Sequence, residues 1–144
     1  MLTCIYCNSV EIKEREIVRN EFAWAIPTNI PVVPGHTLIL PIRCIAKYED
    51  LTPIEKEAIE EIRIKLKSSL TKVFGAQGFN YAWNEEKIAG QSIPHFHLHM
   101  LPRKSGDEGI TEYEPRKFLY RPGSRENSPE LELKSIAELI KSAL

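Results

Sequence analysis

The chain of 144 residues lacks an excess of charge of either sign: 19 basic residues face 20 acidic ones, for a formal net charge of −1. It contains no long basic tract, which argues against a broad nucleic-acid surface, since such surfaces neutralise many phosphates at once. One or two phosphates of a small ligand remain within reach of backbone N–H groups and a few side chains. No apolar run approaches the roughly 20 residues that cross a bilayer. The N-terminus, MLTCIYCNSVEIKERE, has no basic segment followed by a long apolar one. It does not read as a secretory signal, and the expected location is the cytoplasm. The three cysteines, Cys4, Cys7 and Cys44, are an odd count that disfavours a disulfide framework and suits a reducing compartment. There is no internal repeat and no composition shift, so residues 1–144 are expected to form one domain.

Apolar and charged residues, 42% and 27%, are those of an ordinary soluble protein. Thr3 to Asn8 reads as a tight knuckle. Strands are expected over Glu16–Asn20, Phe22–Ile26, His36–Leu40, Phe79–Trp83 and Pro94–Leu101. A helix should begin after Thr52, where Pro53 suits the first position and Glu55 completes a capping box. Ile54, Ala58, Ile62, Leu66, Ser69 and Val73 recur at helical spacing, and Gly75 ends the run. Ile59 and Leu70 form a second apolar edge, to be covered by another element or by a subunit. Ser128-Pro129 opens a last helix with Leu133, Ile136, Leu139 and Ile140 on its apolar side. Gly109 to Asn127 has no periodicity and is expected to wrap around the body, as part of a C-terminal tail and helix over about residues 109–144. Few crossover helices among antiparallel strands indicate an α+β fold with helices on one face of the sheet.

Three of the four histidines alternate in His95-Phe96-His97-Leu98-His99. A strand places all three on one face about 6.6 Å apart and buries Phe96, Leu98 and Met100 on the other. Two chemistries suit such a row. A catalytic metal needs three convergent ligands and an open position, and residues in line on a strand converge poorly. Asp107 is the first carboxylate of Asp or Glu after the row. The alternative is nucleophilic attack on phosphorus by His97, with one ring nitrogen deprotonated and the other fixed by an acceptor such as a backbone carbonyl.

The segment Ala89–Arg103, AGQSIPHFHLHMLPR, and the upstream Pro31–Pro41, PVVPGHTLILP, resemble the two signatures of the histidine triad family of nucleotide hydrolases and transferases. PVVPGH and LPRKSGD are most similar to its fragile histidine triad branch. The resemblance spans roughly Cys4 to Asp107. It implies a HIT-like fold and a two-step reaction at the α-phosphate of a nucleotide. His97 would form a covalent nucleotidyl-histidine, His99 would donate to a phosphate oxygen, and His36 would support the phosphate site. Asn84, Gln91 and Ser92 fall at family positions that contact phosphate. Arg103 is either a phosphate ligand or half of an ion pair. Where the family usually has Asp or Asn for the ribose hydroxyls, this chain has Thr28 followed by Asn29. Trp24 lies in the segment that resembles the base-binding wall, as a stacking surface or as core.

Cys4-x-x-Cys7 has the spacing of a zinc knuckle and also of a redox pair. In zinc-containing relatives the position of Cys44 is a histidine ligand and the first triad histidine is the fourth. The resemblance thus implies a tetrahedral, structural zinc on Cys4, Cys7, Cys44 and His95. It also implies a homodimer built through the long helix and sheet edges, and Mg2+ arriving with a polyphosphate, since the sequence has no carboxylate cluster to hold it. The substrate class the resemblance implies is a dinucleoside polyphosphate cleaved to release AMP. A nucleoside phosphoramidate, or nucleotide binding with little turnover, stands as the alternative.

Overall fold

A computed structural model of the chain describes residues 4–107 and 127–144. Five strands form one sheet: β1 (Val18–Arg19), β2 (Ala23–Pro27), β3 (Thr37–Pro41), β4 (Gly78–Ala82) and β5 (Leu98–Arg103). Their spatial order is β1-β2-β3-β5-β4, and every pairing is antiparallel. The α-helices among the described residues are α1 (Ile5–Asn8), α2 (Val10–Glu14), α3 (Pro53–Phe74) and α4 (Glu130–Lys141). The architecture is the expected α+β, HIT-like one. No helix among the described residues is long and apolar enough to cross a membrane.

Strand alternation divides the core between two faces. Ala23 and Ala25 of β2, Ile39 of β3 and Leu98 and Met100 of β5 pack with Ile62, Leu66 and Leu70 of α3. Trp24 and Ile26 of β2 and Leu38 and Leu40 of β3 point the other way, against Tyr6 and Ile12 of the N-terminal segment. The long helix therefore backs one face, and the opposite face is left for the site.

The ends of α3 follow from its sequence. The Thr52 hydroxyl accepts from the Glu55 N–H, and the Glu55 carboxylate accepts from the Thr52 N–H. Gly75 closes the helix at φ 67°, a left-handed position that favours glycine. Its inward line runs through Glu55, Ala58, Ile59, Ile62, Leu66, Ser69 and Leu70. Ile54 sits one residue, about 100°, off that line and is exposed. Ile59 and Leu70 are buried in the chain's own core, alongside Ala137 and Ile140 of α4. The Ser69 hydroxyl donates to the Ile140 carbonyl at 2.6 Å and pins α4 to α3.

Three local expectations change. The Thr3–Asn8 knuckle is helical from Ile5, and Ser9 caps the next short helix by accepting from the Ile12 N–H. The histidine strand starts only at Leu98, because backbone groups before it are engaged elsewhere: the Phe96 N–H donates to Ile45 and the His95 carbonyl accepts from a ring. Ser128 does not cap α4. Pro129 holds the cap position, and the Ser128 N–H donates to the Asn29 carbonyl. Leu133, Ala137 and Ile140 form the buried side of α4, while Leu139 is half exposed. Of the aperiodic Gly109–Asn127 tail, all but Asn127 lies outside the described residues.

Candidate active site and metal cluster

The turn Pro34-Gly35 delivers His36 to the start of β3. Gly35 has φ 89°, and a Cβ there would meet Phe74 at 2.8 Å and Pro102 at 2.9 Å. Only glycine fits. His36 is buried, and its Nδ1 accepts from the Val32 N–H at 3.0 Å. A neutral His36 then carries its proton on Nε2, which lies 2.9 Å from His99 Nδ1. By the same logic His99 keeps its own proton on Nε2, as a donor.

His97 Nδ1 lies 2.8 Å from the His95 carbonyl. A carbonyl only accepts, so the proton is on Nδ1 and the Nε2 lone pair is available. Burial pulls His97 below the ordinary imidazole range, opposed by its bond to the carbonyl. The ring is therefore neutral near pH 7, as a nucleophile requires. The ring centroids of His97 and His99 are 5.0 Å apart, closer than a strand repeat, because His97 precedes the strand and its ring leans.

His95 turns to a different task. Its Nε2–H donates to the Pro41 carbonyl at 2.8 Å, which presents Nδ1 to Cys4 Sγ at 3.3 Å and Cys7 Sγ at 3.7 Å. The donor atoms of Cys4, Cys7, Cys44 and His95 all lie within 4.8 Å of one another. A tetrahedral zinc with ordinary Zn–S and Zn–N lengths has N···S edges of about 3.5 Å. The four residues fit such an ion, and the Pro41 carbonyl supplies the outer bond that fixes the ring. Partial burial and the two neighbouring cysteines push the Cys44 thiol up to about 12. A divalent cation among three thiols reverses that effect. Among the described residues, the metal-capable cluster contains only the first of the three histidines.

Tyr6, set between two of the cysteines, joins the two centres. Its ring meets His95 edge-on at 5.7 Å and His97 at 5.5 Å. It also lines a pocket of about 210 Å³ together with Ser92, His97 and His99, the apolar Ile5, Ile12, Ile30, Leu38 and Ile93, and the polar Arg15, Thr28 and Asn29.

The other sequence-selected residues are placed as follows. Thr28 is buried at the pocket, and its hydroxyl accepts from the Ile30 N–H at 3.4 Å. Asn29 donates to the Asn127 side chain. Asn84 is buried with its Nδ2 without a partner among the described residues. Both ends of the Gln91 amide hold a loop: Nε2 donates to the Ala46 carbonyl, and Oε1 accepts from the N–H of Glu86. Glu86 sits at φ 67°, a strained backbone for glutamate. Trp24 is buried beside Tyr6 and Ile12, outside the pocket lining, with the Arg19 guanidinium 5.8 Å over its ring. Arg103 forms a bidentate pair with Asp107, at 2.9 and 3.0 Å. Sequence reasoning missed Tyr6 and the apolar residues of the pocket wall, and with them its one charged lining residue among those described, Arg15. A lone arginine between Glu14 and Glu16 carries no signal that distinguishes it from a surface charge.

The HIT domain family matches residues 9–106, and the chain belongs to that family. It is 31% identical over 103 residues to the asymmetrical bis(5'-nucleosyl)-tetraphosphatase of Schizosaccharomyces pombe, an alignment covering 72% of this chain and 57% of that one. It thus spans little more than half the length of that relative. It is 30% identical over 129 residues to a bis(5'-adenosyl)-triphosphatase of Dictyostelium discoideum, covering 89% and 83%. Among solved structures, a Zn-bound histidine triad family protein from Mycobacterium smegmatis superposes with a TM-score of 0.71 at 22% identity, over 98% and 92% of the chains, a likeness of fold. His95, His97 and His99 are the family's histidine triad, consistent with hydrolysis of phosphoanhydride or P–N bonds.

Proposed function

We propose that the protein hydrolyses dinucleoside polyphosphates at the α-phosphate and releases AMP. The observation that carries this reading is the bond from His97 Nδ1 to the His95 carbonyl, which leaves Nε2 as the attacking atom. His97 Nε2 forms a bond to the α-phosphorus, and the phosphoanhydride bond breaks, with its electron pair leaving on the departing nucleotide. Water then attacks the same phosphorus. The P–N bond breaks, the electron pair returns to Nε2, and the proton of the attacking water passes to solvent. His99 donates to an equatorial phosphate oxygen, where charge builds in the transition state. Ser92 at the pocket, and Asn84 by the family position it matches, supply further donors.

Cys4, Cys7, Cys44 and His95 hold a structural zinc, supported by donor spacings that fit a tetrahedron. A bound zinc supplies folding energy and no reaction step. Mg2+ enters with the polyphosphate, and the reducing cytoplasm keeps the thiols available. The chain forms a homodimer through β4, which lies at the edge of the sheet, and the exposed side of α3; sedimentation equilibrium reads this directly.

A substrate panel tests the reading: adenosine and guanosine dinucleotides of three to five phosphates, plus an adenosine phosphoramidate, with products identified. AMP release from the dinucleotides, and a labelled His97 trapped on rapid quench, support it. Turnover confined to the phosphoramidate overturns the P–O–P assignment.

A further inference from the structure

Arg15 is buried to 4% exposure at the pocket wall. A guanidinium taken out of water is costly unless its donors are met. Two of them are. Nε donates to the Pro27 carbonyl at 3.2 Å, and Nη1 pairs with Glu130, in the first turn of α4, at 2.7 Å. These two bonds fix the plane of the group. Nη2 has no hydrogen-bond partner among the described residues.

A nucleotide brings three chemistries to a pocket: phosphate, sugar and base. His97, His99 and Ser92 match the phosphate. Ile5, Ile12, Ile30, Leu38 and Ile93 match the apolar faces of a base. That leaves Arg15, Thr28 and Asn29 for the sugar. Thr28 already accepts from the Ile30 N–H, so what its hydroxyl has left to offer is chiefly its hydrogen. Asn29 Nδ2 is bound to Asn127. No carboxylate lines the pocket among the described residues. The sugar edge therefore sets the donors of Arg15 and Thr28 beside one amide acceptor, Asn29 Oδ1, and the guanidinium is left to meet groups that accept.

We propose that Arg15, oriented by Glu130, is a specificity-determining residue that donates through Nη2 to the ribose hydroxyl oxygens of the bound nucleotide. The inference rests on the nucleotide reading above. It assigns the C-terminal helix a part in substrate choice, through a side chain 115 residues away in sequence.

The experiment is calorimetric titration of AMP and 2′,3′-dideoxy-AMP into the wild type and Arg15→Gln. The wild type should prefer AMP by about tenfold or more, the scale of a hydrogen bond to a charged group. In Arg15→Gln that ratio should fall to within about twofold. Equal weakening of both ligands, with the ratio kept, overturns the proposal and leaves Arg15 a structural group. Loss of affinity for a dinucleoside polyphosphate without loss for AMP also overturns it, and moves Arg15 to the phosphate chain. Failure of the wild type to bind AMP at all removes the nucleotide reading itself. Should Arg15→Gln not fold, Arg15→Lys reads the same ratio. Its single ammonium cannot meet Pro27, Glu130 and a ribose at once, so the preference should fall there too, and a retained preference overturns the proposal.

Discussion

His36 Nε2 stands 2.9 Å from His99 Nδ1, and the Val32 N–H on the far side of His36 settles which of the two nitrogens carries the proton. The pair transmits a backbone donor through two rings to the pocket that His99 lines. His36→Ala removes the group that holds His99 in its donating tautomer. The expected result is a kcat lowered by about 10- to 100-fold, the usual cost of losing an orienting partner, with AMP affinity changed by less. Pre-steady-state quench should show slower nucleotidyl-enzyme formation. An unchanged kcat would remove the relay from the account.

His97→Ala deletes the attacking nitrogen. Turnover should fall by at least about a thousandfold, and covalent labelling from a radioactive dinucleotide should vanish. AMP binding should persist, since the apolar wall and Ser92 are untouched. Residual labelling at another histidine would falsify the assignment.

The metal cluster is tested by content and by stability. Unstripped protein should contain about one zinc per chain. Cys44→Ser should lower that occupancy and the melting temperature together, at a cost of several kcal/mol. The variant's melting point should rise on zinc addition only at much higher metal concentration. Full stability in metal-free protein would count against a structural ion.

Gly35→Ala probes the turn that carries His36. Alanine there meets a positive φ and two close contacts, Phe74 and Pro102. The expected loss is about 2–4 kcal/mol in denaturant unfolding.

Glu55 supplies a pH-dependent term. The Arg43 guanidinium, with the Thr52 bonds, holds its carboxyl below the usual 4.5. A depressed carboxylate stabilises the fold fully above the unfolded pKa and loses that contribution as pH falls through the lower folded value. Glu55→Gln should therefore melt below the wild type at pH 6, by about 1–2 kcal/mol. The gap should close as pH falls below about 4.5, through the lowered folded value. A gap constant across that range would exclude this origin.

Much of the scaffold was legible because it rests on local rules. The Thr52–Glu55 capping box, Gly75 at the end of α3 and the burial of Phe96, Leu98 and Met100 opposite the histidines all follow from neighbours within a turn or a strand repeat. The extent of the histidine strand was not legible, because the backbone groups of His95 and Phe96 are taken by His97 and by the distant Ile45. Ile59 and Leu70 marked a second apolar edge, but their cover, the chain's own core, depends on how α4 returns.

The sequence by itself determined which residues could do chemistry and the strand-and-helix pattern that carries them, since periodicity and capping act over a few residues. The family resemblance groups His95 with the three thiols and expects a free nitrogen on His97, but only tertiary structure decided the bonds that hold those two rings, and that Arg15 enters the pocket. Those choices are made by bonds between groups far apart in the chain: Pro41 to His95 across 54 residues and Glu130 to Arg15 across 115. A side chain's direction is set by the partner that meets its polar atoms once water is excluded, and for these residues the partner is supplied only by the completed fold.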